Sequence, residues 1–397
     1  MKNTMFFPKT VNEFNCLAGI CSDNCCRNSV RLLYVDSDTH EKYKNLSGES
    51  GEVIRASLEE VDDIVKFKAL ENGRCPHLDE YGFCNIQIQM GEEYLCNSCK
   101  NFPRKAAFFN GTLEPTLHLS CPEAVKCLLF GDNRLELAHM PTEGQTSPAP
   151  APFEADEYKI RSMLLDIVQY DWFTLKDKLV YMGVFMRTLA KLPKDNNFSA
   201  GVDTTIGAYR KQMGTAGLMG ELHKSLTGLD TDVRNNALVQ ILKVAASVAA
   251  SHKDTTEDIE NAEYYMLVSN FGKALDDENI ATQFLEAYDK LIVPYINANT
   301  NVFTSYLMYN LHDKKFPKGA DDYASAYTAF LGEFITQLLF AAGVFHASTE
   351  LTHEEMTAAI YLFHRKTIGY PDFRTEIAQV FQSTNLAIML GILGNID

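Results

Sequence analysis

The chain has 397 residues, 46% of them hydrophobic and 22% charged, with a formal net charge of −16. That length supports two or three ordinary domains, and the composition excludes wholesale disorder and a multi-span membrane protein. The acidic balance on both sides of residue 140 opposes nucleic acid and anionic lipid as general partners and suits a basic substrate, such as a lysine-bearing protein surface.

The first residues, "MKNTMFFPKTVNEF", hold no apolar run of signal-peptide length, and Pro8 and Asn12 interrupt what there is. The expected location is therefore the cytoplasm, where thiols stay reduced and a dense set of cysteines reads as metal ligands or redox groups before disulfides. Such a set follows at once in "FNCLAGICSDNCCRN" (14–28). Next, "GEVIRASLEEVDDIVKFKALENG" (51–73) reads as the one long helix of the N-terminal region.

The full thiol set is Cys16, Cys21, Cys25, Cys26, Cys75, Cys84, Cys96, Cys99, Cys121 and Cys127, and no cysteine follows. The spacing is C-x4-C-x3-C-C, then C-x8-C-x11-C-x2-C-x21-C. A two-residue spacing, as in "CNSC" (96–99), lets a tight turn aim both sulfurs at one metal centre. All-thiolate ligation suits zinc and iron–sulfur clusters alike, and nine candidates exceed what one tetrahedral zinc can use. Cys127, in the helical "EAVKCLLF", reads as a small buried hydrophobe. His118, in "HLSC", reads as a packing or supporting residue rather than a ligand.

Residues 141–157, "PTEGQTSPAPAPFEADE", have the composition of an extended linker. The expected organisation is a cysteine-rich metal domain over 1–140, the linker 141–157, and an all-helical domain over 158–397. The fold class is thus mainly α, with an irregular N-terminal domain. Beyond the linker, apolar residues recur at three- and four-residue spacing in "YKIRSMLLDIVQY", "LKDKLVYMGVFMRTLAKL", "VRNNALVQILKVAASVAAS", "DIENAEYYMLVSNFGKAL" and "IATQFLEAYDKLIVPYI". "GTAGLMG" (214–220) has no preceding strand and no acidic partner of the dinucleotide-binding kind, so a loop between helices is expected. "YASAYTAFLGEFITQLLFAAGVF" (323–345) is apolar enough to raise a membrane span, but Glu333 and Gln337 near its centre favour a buried bundle helix. There is no P-loop, G-x-S-x-G or H-E-x-x-H, and the spacing C-x3-C-x2-C from Cys21 fails because Asn28 stands at its third position.

"FNCLAGICSDNCC", "CPHLDEYGFCNIQIQMGEEYLCNSCKNFPR" and "LSCPEA" together resemble the flagellin lysine-N-methylase family (FliB), itself related to the YkgJ-type cysteine-cluster proteins. The likeness is detailed over about residues 10–130 and only general thereafter. It implies an S-adenosylmethionine-dependent enzyme that methylates lysine ε-amines of flagellin in the cytosol, with an oxygen-sensitive 4Fe-4S cluster. Peripheral membrane association and homo-oligomerisation belong to the same expectation. Carried over residue by residue, Cys16, Cys21, Cys25, Cys26, Cys75, Cys84, Cys96, Cys99 and Cys121 fall on the motif; Cys127 does not. A lysine amine is protonated at neutral pH, so polar transfer needs desolvation or a base, for which Asp79, Glu92, Glu93 and Tyr94 adjoin the motif. Arg104, in "NFPR", is the candidate for the cofactor's carboxylate. Radical transfer would instead require an iron without a protein ligand, and spacing does not choose between the two routes. The alternative from a different class is a non-catalytic zinc or iron–sulfur module that organises a helical interaction domain.

Overall fold

The computed structural model describes residues 4–28, 34–71, 73–131, 135–141, 147–215, 217, 220, 231–251, 262–273, 278–368, 373–382, 393 and 396. In chain order its first part holds strand β1 (Thr4–Pro8), a short helix α1 (Cys25–Asn28), and helices α2 (Ser37–Asn45) and α3 (Glu49–Ala56). Strands β2 (Leu58–Val61) and β3 (Ile64–Phe67) and the short helices α4 (Asn85–Met90) and α5 (Asn97–Asn101) follow. Strands β4 (Arg104–Phe109) and β5 (Thr112–Leu117), helix α6 (Pro122–Leu129) and strand β6 (Leu137–Pro141) complete it. The N-terminal region is therefore a mixture of strands and helices rather than irregular.

The helix expected over 51–73 is corrected: α3 stops at Ala56, and an antiparallel hairpin pairs Leu58 with Phe67 and Val61 with Ile64. Asp62 and Asp63 at its turn both take positive φ, 53° and 61°. That is the turn geometry whose twist suits a two-residue hairpin, and short polar side chains tolerate it. A second hairpin joins β4 to β5 through Asn110 and Gly111, again both at positive φ. Its sheet runs β4-β5-β1-β6, with β1 parallel to β5 at Met5↔Leu113 and antiparallel to β6 at Phe6↔His139.

The later part is helical: α7 (Glu154–Gln169), α8 (Leu175–Leu189), α9 (Phe198–Met213), α10 (Thr231–Ala250), α11 (Ala262–Lys273) and α12 (Glu278–Ala287). A π-helical turn at Tyr288–Ile292 leads into α13 (Val293–Ala298), followed by α14 (Thr300–Asp313), α15 (Tyr323–Val344), α16 (His353–Ile368) and α17 (Phe373–Gln382). Of the segment expected as linker, Pro141 ends β6 and Glu154–Glu157 form the first turn of α7, with Glu154, Asp156 and Glu157 buried. Glu154 accepts hydrogen bonds from the backbone amides of Asn110 and Ala151, both at 2.7 Å. Of "GTAGLMG", residues 216, 218 and 219 lie outside the described residues; Gly214 caps the end of α9.

Helix α15 is the axis of the helical body, packing against α8, α10, α11, α12, α16 and α17. It is long and apolar enough to cross a membrane, yet 83% of its most apolar window is buried inside the protein. Glu333 pairs with Lys314 at 2.6 Å, and Gln337 is fully buried. At Gly343 a Cβ would fall 2.2 Å from the Phe271 ring, so glycine is what lets α11 and α15 approach so closely.

One hydrophobic core runs from Phe6, Phe7 and Leu117 in the sheet through Leu179 to Leu338 and Phe363 in the helices. A second, smaller core comprises Val35, Tyr43, Ile54, Phe67, Ile86 and Cys96, with Cys75, Cys84 and Cys99 packed against it. The sheet is welded to the helical body by Glu114 and Arg161, whose exposures are 0% and 1%. Arg161 holds both carboxylate oxygens of Glu114 in a fork and lies over the rings of Phe109, Tyr158 and Phe6.

Candidate metal centre

Backbone bonds between distant segments bring the two cysteine blocks together. The amide of Cys75 donates to the carbonyl of Cys26 at 2.8 Å. Asn24 donates to the carbonyls of Ala18 and Gly82 and accepts from the amide of Cys26, so one buried side chain ties the first cysteine loop to itself and to the second. At Gly19 a Cβ would stand 2.8 Å from the ring of Phe83, and this close approach seals the junction. Cys96 and Cys121 each occupy the residue before a helix, α5 and α6, which turns both sulfurs inward from a helix start. The carbonyl of Pro103 accepts the amide of His118 at 2.7 Å and so draws the chain leading to Cys121 alongside α5.

The result is a cavity of about 420 Å³ lined by Cys16, Cys21, Cys25, Cys26, Cys75, Cys84, Cys96, Cys99 and Cys121. All nine expected thiols thus reach one chamber, whose remaining walls are largely apolar, among them Phe14, Phe67, Phe83 and Phe102. Cys127 stands apart on α6, its thiol donating to the carbonyl of Thr10.

The thiols interact in couples. A hydrogen bond from Cys26, and next the charge of Arg365, hold the Cys25 thiol below its ordinary range against the opposing effect of burial. Cys99 does the same for Cys96. Burial pushes Cys21 up to about 11 and both Cys75 and Cys121 up to about 12. Those three carry their protons at neutral pH, and a metal binding there would expel them.

Among the described residues no group of three or more His, Cys, Asp and Glu side chains is already drawn together as a metal-ligand set. The chemistry of the donors nevertheless fits a thiophilic metal: soft sulfurs in excess, lining one cavity whose other walls are largely apolar. Cys96 and Cys99, hydrogen-bonded to each other across a single helical turn, are the pair that "CNSC" led us to expect.

Other expected site residues lie elsewhere. Asp79 accepts the amides of Tyr81 and Phe83. Glu92 pairs with Lys100 on the surface, and the Glu93 carbonyl takes Lys42. Tyr94 packs beside the small core and offers its carbonyl to Tyr43. None of the four lines the cavity; the carboxylates that do are Asp23 and Glu123. His118 accepts the amide of Ser120 outside the chamber, with burial holding it neutral at a value of about 4. Arg104 donates to the carbonyl of Phe14 at 2.7 Å, lies over the Phe14 ring and faces a neighbouring groove.

Sequence spacing gave no hint of Arg365. From α16 its guanidinium enters the cavity wall and donates to Asp23 Oδ1 at 2.7 Å, to the Asp23 carbonyl at 3.2 Å and to the Ser120 carbonyl at 2.8 Å. It also bonds Tyr265 of α11, whose hydroxyl reaches Asp23 Oδ2 at 2.9 Å. One buried cation therefore ties the loop carrying Cys21 and Cys25 to the turn before Cys121, and both to the helical body.

Fold and site define a mainly helical protein with a thiol-lined chamber closed between a small mixed sheet, two cysteine loops and a helical body. A family model described as the FliB lysine N-methylase C-terminal domain matches residues 161–393, more than half of the chain, which therefore belongs to the FliB lysine N-methylase family. The match contains Arg365 and none of the nine cavity cysteines. No match was found among curated proteins or among solved structures.

Proposed function

We propose that the protein transfers methyl groups from S-adenosylmethionine to lysine ε-amines of flagellin in the cytoplasm, and that cysteines of the chamber hold an iron–sulfur cluster of the 4Fe-4S type. The observation that carries this is the convergence of nine cysteines from two distant blocks on one cavity, in a chain whose helical part belongs to a lysine N-methylase family. The cluster ligands would come from Cys96, Cys99, Cys75 and Cys84 at the small core and from Cys16, Cys21, Cys25, Cys26 and Cys121 on the rest of the chamber wall. Such a cluster supplies either redox chemistry or a rigid scaffold.

Methylation breaks a sulfur–carbon bond of the donor, forms a carbon–nitrogen bond at lysine and releases the proton of the amine. The apolar walls favour this, because a lysine withdrawn from water loses its proton more readily. Asp23 is committed to Arg365, so Glu123, which pairs with Lys126 at 2.8 Å at the cavity edge, is the carboxylate placed to accept that proton. The acidity of the whole chain favours approach of a lysine-bearing surface.

Anaerobic purification followed by iron, sulfide and zinc determination tests the centre, and incubation with flagellin and methyl-labelled S-adenosylmethionine tests the reaction. About four irons and four sulfides per chain, kept in Cys127→Ser and reduced in Cys99→Ser, with label on flagellin lysines, are expected. A colourless zinc protein that methylates nothing would leave a structural metal module in its place.

A further inference from the structure

The cysteine chamber opens to solvent along one side. Of the residues that line it, the exposed ones are Cys16, Leu17, Ala18, Phe83, Gln87 and Ile88, so its mouth lies between the first cysteine loop and the segment running from Asp79 into α4. That mouth is apolar. Ile88 is 63% exposed, Leu17 and Phe83 are exposed on the same rim, and Ile20 at 76% and Tyr81 at 69% stand on the same two loops. Exposed apolar residues scattered singly need no explanation, but five gathered about one opening mark a binding surface. The frame beneath them is built. Asp79 accepts the amides of Tyr81 and Phe83 at 2.9 and 2.8 Å and donates its own amide to the Phe83 carbonyl, closing a turn in which Gly82 takes φ 85°. The Phe83 ring lies on Gly19, and Asn24 holds the Gly82 carbonyl from the other loop. A preorganised frame of this kind lowers the ordering cost for a partner that covers it. The collar segments, 13–20 and 78–90, contain Glu13, Asp79 and Glu80 and neither lysine nor arginine; Arg27, which lies against Gly82, is half-buried.

We infer, resting on the methylase function above, that this collar docks the protein substrate and selects lysines flanked by large apolar side chains. A lysine reaches only as far as its four-carbon stem, so an amine inside the chamber brings its own backbone and its chain neighbours onto the rim. Apolar neighbours then cover Leu17, Phe83 and Ile88, and those further along the segment cover Ile20 and Tyr81; polar neighbours leave the collar in water. The carboxylates of the collar segments favour a positively charged segment and oppose an acidic one. They equally oppose an anionic membrane surface, and a second copy meeting the collar face to face would set like charges against each other.

Equilibrium binding to the full-length, anaerobically purified protein, without methyl donor, tests the collar. The probes are two fluorescein-labelled peptides that differ only beside their single lysine, with leucine and phenylalanine in one and serine and glutamine in the other. Wild type is expected to bind the apolar-flanked peptide about tenfold more tightly, the worth of partly burying one or two such side chains. Ile20→Gln combined with Ile88→Gln, both at exposed positions, should abolish that preference with unchanged metal content, visible spectrum and melting temperature, whereas Ile20→Leu with Ile88→Leu should keep it. With flagellin and methyl-labelled S-adenosylmethionine, the glutamine pair should raise KM far more than it lowers kcat. Equal affinity for the two peptides, none for either, or a preference that the glutamine pair retains overturns the collar assignment, and label on flagellin lysines in the same preparations leaves the methylase function standing. A glutamine pair that instead changes self-association in sedimentation, or flotation with phosphatidylcholine vesicles, where no peptide preference exists, gives the collar to a second copy or to a membrane and overturns it equally. A preference present and lost as expected, with no label transferred to flagellin, overturns the methylase function alone and leaves a docking surface for lysine peptides.

Discussion

Arg365 makes more hydrogen bonds to the cysteine loops than any spacing rule would suggest. Its partners Asp23 and Ser120 sit within two residues of Cys21, Cys25 and Cys121, so the sulfurs are aimed by a side chain more than 240 residues away. Removing one member of such a buried pair leaves the other charge uncompensated, which costs about 3–5 kcal/mol. Arg365→Gln should therefore purify with less iron per chain and melt earlier. Arg365→Lys, which keeps the charge but loses the fork, should fall between. Wild-type metal content and melting in both variants would show that the clamp is incidental. Residue identity carried the thiols plainly, because cysteine in such density has few other uses. It carried nothing of Asp23 or Arg365, whose roles arise only when α16 meets the first loop.

Among elements, the helices of the later part were legible because each buries one stripe, as α9 does through Phe198, Val202, Ile206 and Tyr209. The strands were not. β1 has five residues, and its partners begin at residues 112 and 137, so no local period announces it. The hairpin at 58–67 was read as a continuing helix because Val61, Ile64 and Val65 also fit a helical stripe; the two aspartates at positive φ decided otherwise. Strand β5 then depends on its bond to α7 through Glu114 and Arg161. Glu114→Gln should lose stability on the order of 3–5 kcal/mol, and adding Arg161→Met should restore part of it, since a well-packed apolar replacement of a buried ion pair is often neutral, while the buried Lys315 ammonium, 3.7 Å from the same carboxylate, stays uncompensated. A denaturant series on the single and double variants checks this; a double variant no more stable than the single would exclude simple charge burial as the cause.

For the whole molecule, the two cores are unequal. The larger spans sheet and helices, whereas the smaller gathers six buried residues, one of them Cys96, with three further cysteines against it. A core so thin would gain much from the proposed metal, as small domains generally do. Chelation should raise hydrogen exchange over residues 35–101 and leave α8 and α15 protected. Uniform loss along the chain, or none, would contradict that division.

The chamber is closed by a residue that is made last. At about 5–20 residues per second, Arg365 leaves the ribosome on the order of tens of seconds after Cys121. During that interval all nine sulfurs exist without the cation that ties their loops together. If the proposed cluster is the chamber's occupant, metal and oxidant compete for an unclamped set of thiols in the nascent chain, and the yield of loaded protein then depends on the pace of translation as well as on the supply of metal.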